Sequence, residues 1–331
     1  MAFKSTRVEK PMGRMLALRQ NMPGVKFILW CNTPDVQEMV GQHLRNNGVT
    51  YSAHLFDDAV VAEDKDCIVV HELFSGVNPW TRDVFFPATI TGNECALLDT
   101  VDEDGSDQGW AKRLEKMNLA SGLKFKILGP SDERSETLAM AGGDVLMDGK
   151  WVFLGKHNQT MDKLLRQHLP TAEIIVLDDK SNYEALYHTD LFLTLTGVLD
   201  NGRYVVLLGQ CVALDAEFDG EAKRNNVYLD NMAHRLENDY PLKIIRNPLP
   251  MNNNLYSYNN CIVEVVQDRK TVWLPKYSYD APQHETLGAL EKENETIWRA
   301  LGFNPCLVSA TYSDLLGVKA GLHCITNELR A

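Results

Sequence analysis

Four side chains in this sequence are suited to act together on one electrophile. Cys324 supplies a thiol in Gly321-Leu322-His323-Cys324-Ile325-Thr326, and His188-Thr189-Asp190 supplies an imidazole and a carboxylate. Thr81-Arg82-Asp83 adds a second carboxylate. A planar, cationic amidine or guanidine carbon is the electrophile that suits this set. Asp83 and Asp190 can each accept paired N–H bonds from it and hold its plane still. Cys324 then attacks perpendicular to that plane and forms a tetrahedral adduct. His188 protonates the departing nitrogen and afterwards takes a proton from water or from an acceptor amine. Taken singly, each residue has a plainer reading: an inert buried cysteine, a turn histidine, an aspartate paired with Arg82. Local sequence does not bring the four together, so the intervening chain must.

The 331 residues, 44% hydrophobic, can bury a substantial core without disulfides or a structural metal. The formal charge of -12 argues against a nucleic-acid backbone as partner and is compatible with a small cationic substrate. The cysteines at 31, 67, 95, 211, 261, 306 and 324 are scattered and form no CxxC pair. This spacing weakens zinc and iron–sulfur readings and favours a reducing compartment. No apolar run approaches the length needed to span a bilayer. The expectation is a soluble, cytoplasmic protein with no membrane partner, needing neither cofactor nor metal, with a homodimer as the prior for assembly.

The order of elements supplies the missing convergence. Short apolar runs at 145–147 and 151–154 flank Asp148-Gly149-Lys150, which has turn chemistry. A helix at 160–168 follows and ends before Pro170, and a strand at 173–177 comes next. The same order recurs: strands at 191–195 and 204–208 about Asp200-Asn201-Gly202, a helix at 221–237, a strand at 242–245. It recurs again with strands at 262–266 and 272–274, a helix at 284–300 and a strand at 306–308. Towards the N-terminus, strands are expected at 25–30, 49–55, 67–70, 84–86, 95–98 and 123–128, with helices at 34–44 and 108–117. Five strand-strand-helix-strand units can close into a ring with helices outside, which removes exposed sheet edges. The last unit is incomplete, since only 322–326 remains after the strand at 306–308, and the strand at 26–30 can complete it and join the chain ends. An ordinary α/β sandwich with irregular strand order remains the rival on these patterns alone. No linker divides the chain, so a single catalytic domain over 1–331 is expected, with residues 1–20 a peripheral N-terminal extension.

The motifs resemble the guanidine-modifying superfamily, the pentein-fold enzymes that include arginine and agmatine deiminases, dimethylarginine hydrolases and amidinotransferases. Thr81-Arg82-Asp83 resembles the first acidic motif of arginine deiminases, and Gly142-Gly143-Asp144-Val145-Leu146 their glycine-rich motif. His188-Thr189-Asp190 matches His-x-Asp, and Gly-Leu-His-Cys-Ile-Thr matches the nucleophile motif. Tyr258-Asn259-Asn260 and Leu274-Pro275-Lys276-Tyr277 resemble family elements of the fourth unit. The likeness spans residues 26–328. It implies a five-bladed α/β propeller with Cys324, His188, Asp190 and Asp83 as catalytic residues. It further implies substrate contacts from Asp83, Asp190, Asp144 and Asn260. Lys319 stands where arginine deiminases tend to carry an arginine for the substrate carboxylate.

The resemblance implies an arginine deiminase-like hydrolase that converts arginine or a related guanidino compound to a ureido product and ammonia. One departure bears on this: Ala141 stands where arginine deiminases usually have a glutamate before the two glycines. Asn327-Glu328-Leu329-Arg330, after the nucleophile, leans instead towards amidinotransferases. Transfer of the amidino group to an amine, a dihydrolase, or a catalytically silent binding protein are the alternatives. His323 reads as a residue that orients the terminal loop.

Overall fold

Short, largely apolar runs build the strands of this chain, and among the described residues three groups of three strands each carry one amphipathic helix. The computed structural model describes eight strand segments before residue 141. It then describes residues 141–308, apart from 149, 156–158, 178–179, 181, 267–268 and 280–282, and residues 321–324.

Strands β1 (Lys4–Thr6) and β2 (Ala53–Leu55) pair antiparallel, so the expected N-terminal extension contributes a strand. Strands β3 (Val61–Asp64) and β4 (Cys67–Val70) form a second antiparallel pair. Strands β5 (Phe85–Thr91) and β6 (Glu94–Val101) are antiparallel, and β7 (Lys124–Leu128) lies parallel to β6. The short β8 (Leu138–Ala139) pairs with the end of β6.

The pattern then repeats three times. Strands β9 (Val145–Asp148) and β10 (Trp151–Leu154) are antiparallel, helix α1 (Gln159–His168) crosses over, and β11 (Glu173–Val176) lies parallel to β10. Next come β12 (Leu193–Asp200), β13 (Arg203–Ala213), α2 (Asp219–Asp239) and β14 (Leu242–Met251). Last are β15 (Ile262–Val266), β16 (Arg269–Pro275), α3 (His284–Ala300) and β17 (Asn304–Val308).

Local chemistry accounts for these boundaries. Asn201 (φ 50°) and Gly202 (φ 79°) both have the positive φ that a two-residue I′ hairpin requires. In α1, Met161 and Leu165 are buried four residues apart, and Leu169, just past the helix end, continues the spacing. Helix α2 buries Ala222, Asn225, Leu229, Met232 and Leu236 at alternating spacings of three and four. Glu291 and Asn294 interrupt the buried stripe of α3, and both are bonded. The Glu291 carboxylate accepts the Ser278 N–H and hydroxyl at 2.7 Å each, and Asn294 Oδ1 accepts from Asn247 Nδ2 at 3.0 Å.

The two faces of β13 tie neighbouring repeats together. Val206 and Leu208 join the cluster of Leu193, Leu195, Leu229, Met232 and Leu249. Leu207, between them, packs with Val263, Val272, Leu274 and Trp298 of the next repeat. A period of two delivers neighbouring residues to opposite faces of a strand.

Two expectations change. The strand foreseen at 191–195 begins only at Leu193, because Thr189–Leu191 closes into a 3-10 turn. Residues 321–324 form a turn rather than the start of a strand. The expected strand at 26–30, the helices at 34–44 and 108–117, and the remainder of the closing unit lie outside the described residues.

Candidate active site

Two glycine-dependent turns and one asparagine build the site. The first turn, Gly142–Asp144, leads into β9, and all three of its residues are buried. Asp144 Oδ1 accepts hydrogen bonds from the Thr189 N–H and from the Thr189 hydroxyl, each at 3.0 Å. The same oxygen is ion-paired with the Lys180 ammonium. Asp144 thereby anchors the second turn, which carries His188 and Asp190 on either side of Thr189. A buried carboxylate needs such partners, since an unpaired one is costly.

Gly155 faces this junction. A Cβ there would collide with Asp144 Oδ1 and Thr189 Oγ1, so no side chain fits. Gly143 is equally constrained. A Cβ at this position would lie 2.8 Å from His188 Nδ1 and 3.0 Å from Asp190 Oδ1. The absent side chain lets the backbone pass directly beneath both groups. The ring of His188 also lies against Tyr187, with centroids 4.9 Å apart.

The Cys324 turn reaches Asp190 from the far end of the sequence. Asn260 is fully buried, and its Oδ1 accepts the backbone N–H of His323 at 2.8 Å and that of Cys324 at 3.1 Å. These two donors fix the orientation of the amide, since the flipped rotamer would set N–H against N–H. The Nδ2 group is therefore the one that faces Cys324 Sγ, at 3.1 Å. Gly321 makes the approach possible, because a Cβ there would stand 2.5 Å from Asn260 Oδ1. The Asn260 N–H is in turn held by Ser257 Oγ at 3.0 Å.

Cys324 Sγ lies 3.8 Å from Asp190 Oδ2, and His323 Nδ1 lies 2.8 Å from the same oxygen. Asp190 is 1% exposed, and His323 and Cys324 are buried with it. Tyr277 packs behind the thiol and donates its hydroxyl to the Ser257 carbonyl at 3.1 Å. Burial first, and the proximity of Cys324 second, hold the Tyr277 phenol well above its ordinary pKa, so it stays neutral. Alongside opens a cavity of about 190 Å³ lined by Glu184, Tyr187, Leu191, Ser257, Tyr277 and Gly321. Among the described residues, no group of three or more histidines, cysteines, aspartates or glutamates is placed to hold a metal ion.

The structure thus gathers Cys324, Asp190 and Asn260 into direct contact and sets His188 beside Asp190. Asp144 bonds to the turn that carries His188 and Asp190, and Asn260 to the turn that carries Cys324. Asp83 and Lys319 lie outside the described residues. Sequence reasoning gave Lys180 no role, although its position just after β11 is where a chain leaving a strand can turn into a site. The contact between His323 and Asp190 was likewise unforeseen, and its one signal was adjacency to the thiol.

No family model matches the chain, and no curated protein matches its sequence. Solved structures do match its fold. Agmatine deiminase from C. jejuni superposes with a TM-score of 0.53 at 13% identity, over 99% of this chain and 98% of that one. A protein assigned as an agmatine deiminase gives 0.58 at 12% identity, over 95% of each chain. A Porphyromonas gingivalis protein assigned as an arginine deiminase gives 0.51 at 14% identity, over 98% of each. This chain has the pentein fold of these solved structures. Within that fold, the glycine-rich turn before β9, the His-x-Asp turn before β12 and the cysteine turn come from separate repeats and meet at one place. No helix among the described residues is long and apolar enough to cross a membrane.

Proposed function

We propose that this protein hydrolyses a guanidine C–N bond, in arginine or a related guanidino compound, through a covalent intermediate on Cys324. The observation that carries the reading is the meeting of Cys324 Sγ with Asp190 Oδ2 at 3.8 Å, with His188 and Asp190 both bordering Gly143, on a pentein fold. Asp190, together with Asp83, binds the guanidinium N–H groups. The Cys324 thiolate adds to the guanidine carbon. His188 gives a proton to the departing nitrogen, and ammonia leaves as the C–N bond breaks. His188 then takes a proton from water. The hydroxide adds to the same carbon, the C–S bond breaks, and the ureido product leaves with the thiolate restored. Asp144, Lys180 and Asn260 hold these groups without touching the substrate.

The solved structures support the assignment by their titles. They include agmatine deiminase from C. jejuni, and a cysteine-to-serine variant of it with substrate bound. The cavity bears on the substrate's other end. It is lined by the carboxylates Glu184 and Glu221, and no lysine or arginine is among its described lining residues. A guanidino compound with a cationic or neutral tail, such as agmatine, suits that lining better than one ending in a carboxylate. The reading places the site on a closed ring of five repeats forming one domain, in a reducing, cytoplasmic setting that keeps the thiol free.

The test is incubation with agmatine, arginine and methylated arginines, with and without glycine, lysine or ornithine, with products resolved by mass. Ammonia and a ureido product without an acceptor are expected. Cys324→Ala is expected to lower turnover by about 10⁴- to 10⁶-fold while keeping its circular dichroism. A new guanidino compound formed only with an acceptor would replace hydrolysis by amidino transfer. Ammonia released together with ornithine would indicate a dihydrolase, and no product from any compound would sink the enzymatic reading.

A further inference from the structure

His323 is a buried, ionisable side chain that the mechanism above does not use. Its Nδ1 lies 2.8 Å from Asp190 Oδ2, the oxygen that Cys324 Sγ approaches to 3.8 Å. The side chains of His323 and Asp190 are 9% and 2% exposed, so water screens the pair weakly. The main chain that carries the ring is held in place, because the backbone N–H groups of His323 and Cys324 both donate to Asn260 Oδ1. Groups close to the ring include Asp190, which favours its charged form, and, across the shared Asp190 oxygen, Cys324, which does so when ionised. His188 Nδ1 and Asp190 Oδ1 both border Gly143, and the neutral Tyr277 phenol lies near Cys324. Lys180 is engaged with Asp144 instead.

A thiolate beside a carboxylate is disfavoured by like charge, and a cation on that carboxylate relieves the conflict. In the ligand-free protein His323 is placed to be that cation. A guanidinium brought to the same carboxylate would then set two positive charges against each other. The imidazole can avoid this without moving, because the neutral tautomer keeps the Nδ1–H bond to Asp190 and gives up only the proton on Nε2.

We propose that His323 is the resident counter-ion of Asp190, a positioning residue whose imidazolium holds the carboxylate beside Cys324 and releases its Nε2 proton to solvent when a guanidinium ligand binds. This rests on the reading of Asp190 as the guanidinium-binding carboxylate. It makes substrate affinity proton-linked, weaker as pH falls through the titration of His323.

The first arm of the test needs no ligand. The His323 ring is followed by NMR across pH in the wild-type protein and in Asp190→Asn. The wild-type midpoint is expected above the ordinary histidine value of about 6.5, falling by about one pH unit or more, a tenfold loss of proton affinity, in the variant. A wild-type midpoint at or below about 6.5 overturns the proposal even if Asp190→Asn fails to fold.

The second arm uses Cys324→Ala, which binds without turnover and has no thiol proton to contribute. Agmatine and arginine are titrated calorimetrically in two buffers of different ionisation enthalpy. Release of close to one proton per ligand is expected, and its loss in Cys324→Ala/His323→Gln. Binding without proton release, or release unchanged by His323→Gln, overturns the proposal while leaving the hydrolase reading intact. Failure of both compounds to bind defeats the ligand-release half together with the guanidinium role of Asp190. The NMR arm then still decides whether His323 is the counter-ion.

Discussion

Cys211 and Cys324 are both buried, and their surroundings separate them chemically. Burial pushes the Cys211 thiol up to about 12, with a hydrogen bond from the Asn225 side chain opposing it only in part. Cys324 instead meets an amide N–H from Asn260 and shares an oxygen of Asp190 with an imidazole. Iodoacetamide at a pH of about 8.5 is therefore expected to modify Cys324 and spare Cys211 until the chain is unfolded. Mass mapping of the two peptides checks this, and prompt labelling of Cys211 in the native protein would contradict it. The folded state binds the Cys211 proton more tightly than the unfolded chain, whose ordinary value is 9.0. Its stabilising contribution is therefore complete below that pH and declines as pH climbs towards about 12.

The turns between strands carry the reactive groups, so the fit of one turn against another matters more than the strength of any single strand. Gly155 illustrates this. It follows β10, a position where a small residue normally marks only the end of a strand. Here it leaves room for Asp144 Oδ1 to reach Thr189 Oγ1. Gly155→Ala is expected to push the His188-Thr189-Asp190 turn aside and lower kcat by about 10²-fold. The overpacking should cost about 1–3 kcal/mol of stability. Steady-state kinetics with thermal unfolding checks both, and an unchanged kcat would mean that the turn tolerates the side chain. The strands and helices around this junction were legible in advance because each buries one face at a period of two or three to four. The 3-10 turn at Thr189–Leu191 was not, because it forms to satisfy a carboxylate forty-five positions away in the sequence.

Across the whole molecule, 45 acidic against 33 basic residues leave a formal charge of -12. Under the proposed hydrolase reading, a cationic guanidino substrate approaching such a surface is expected to be steered by its field, and salt shortens the reach of that field. The value of kcat/KM is expected to fall several-fold as salt is raised from about 10 mM to about 500 mM, with kcat changed much less. A flat profile would confine electrostatics to the buried site. Packing at this scale is continuous between repeats, because β13 sends Val206 and Leu208 to one core and Leu207 to the next. That sharing keeps the turns of separate repeats in fixed relation.

The sequence by itself determined the repeating strand-strand-helix-strand order, the hairpin at Asn201-Gly202, the end of α1 before Pro170 and the residue types capable of the chemistry. These follow from local propensity and periodicity, which act over a few residues. Its motifs also pointed to the fold that the solved structures share. Only the tertiary structure decided that Asn260 clamps the Cys324 turn, that Asp144 and Lys180 brace the His188 turn, and that His323 rather than Lys180 partners Asp190. Those assignments depend on hydrogen bonds between residues far apart in the chain. A buried carboxylate or amide takes whichever partner the packed repeats bring within about 3 Å, and no local pattern names that partner in advance.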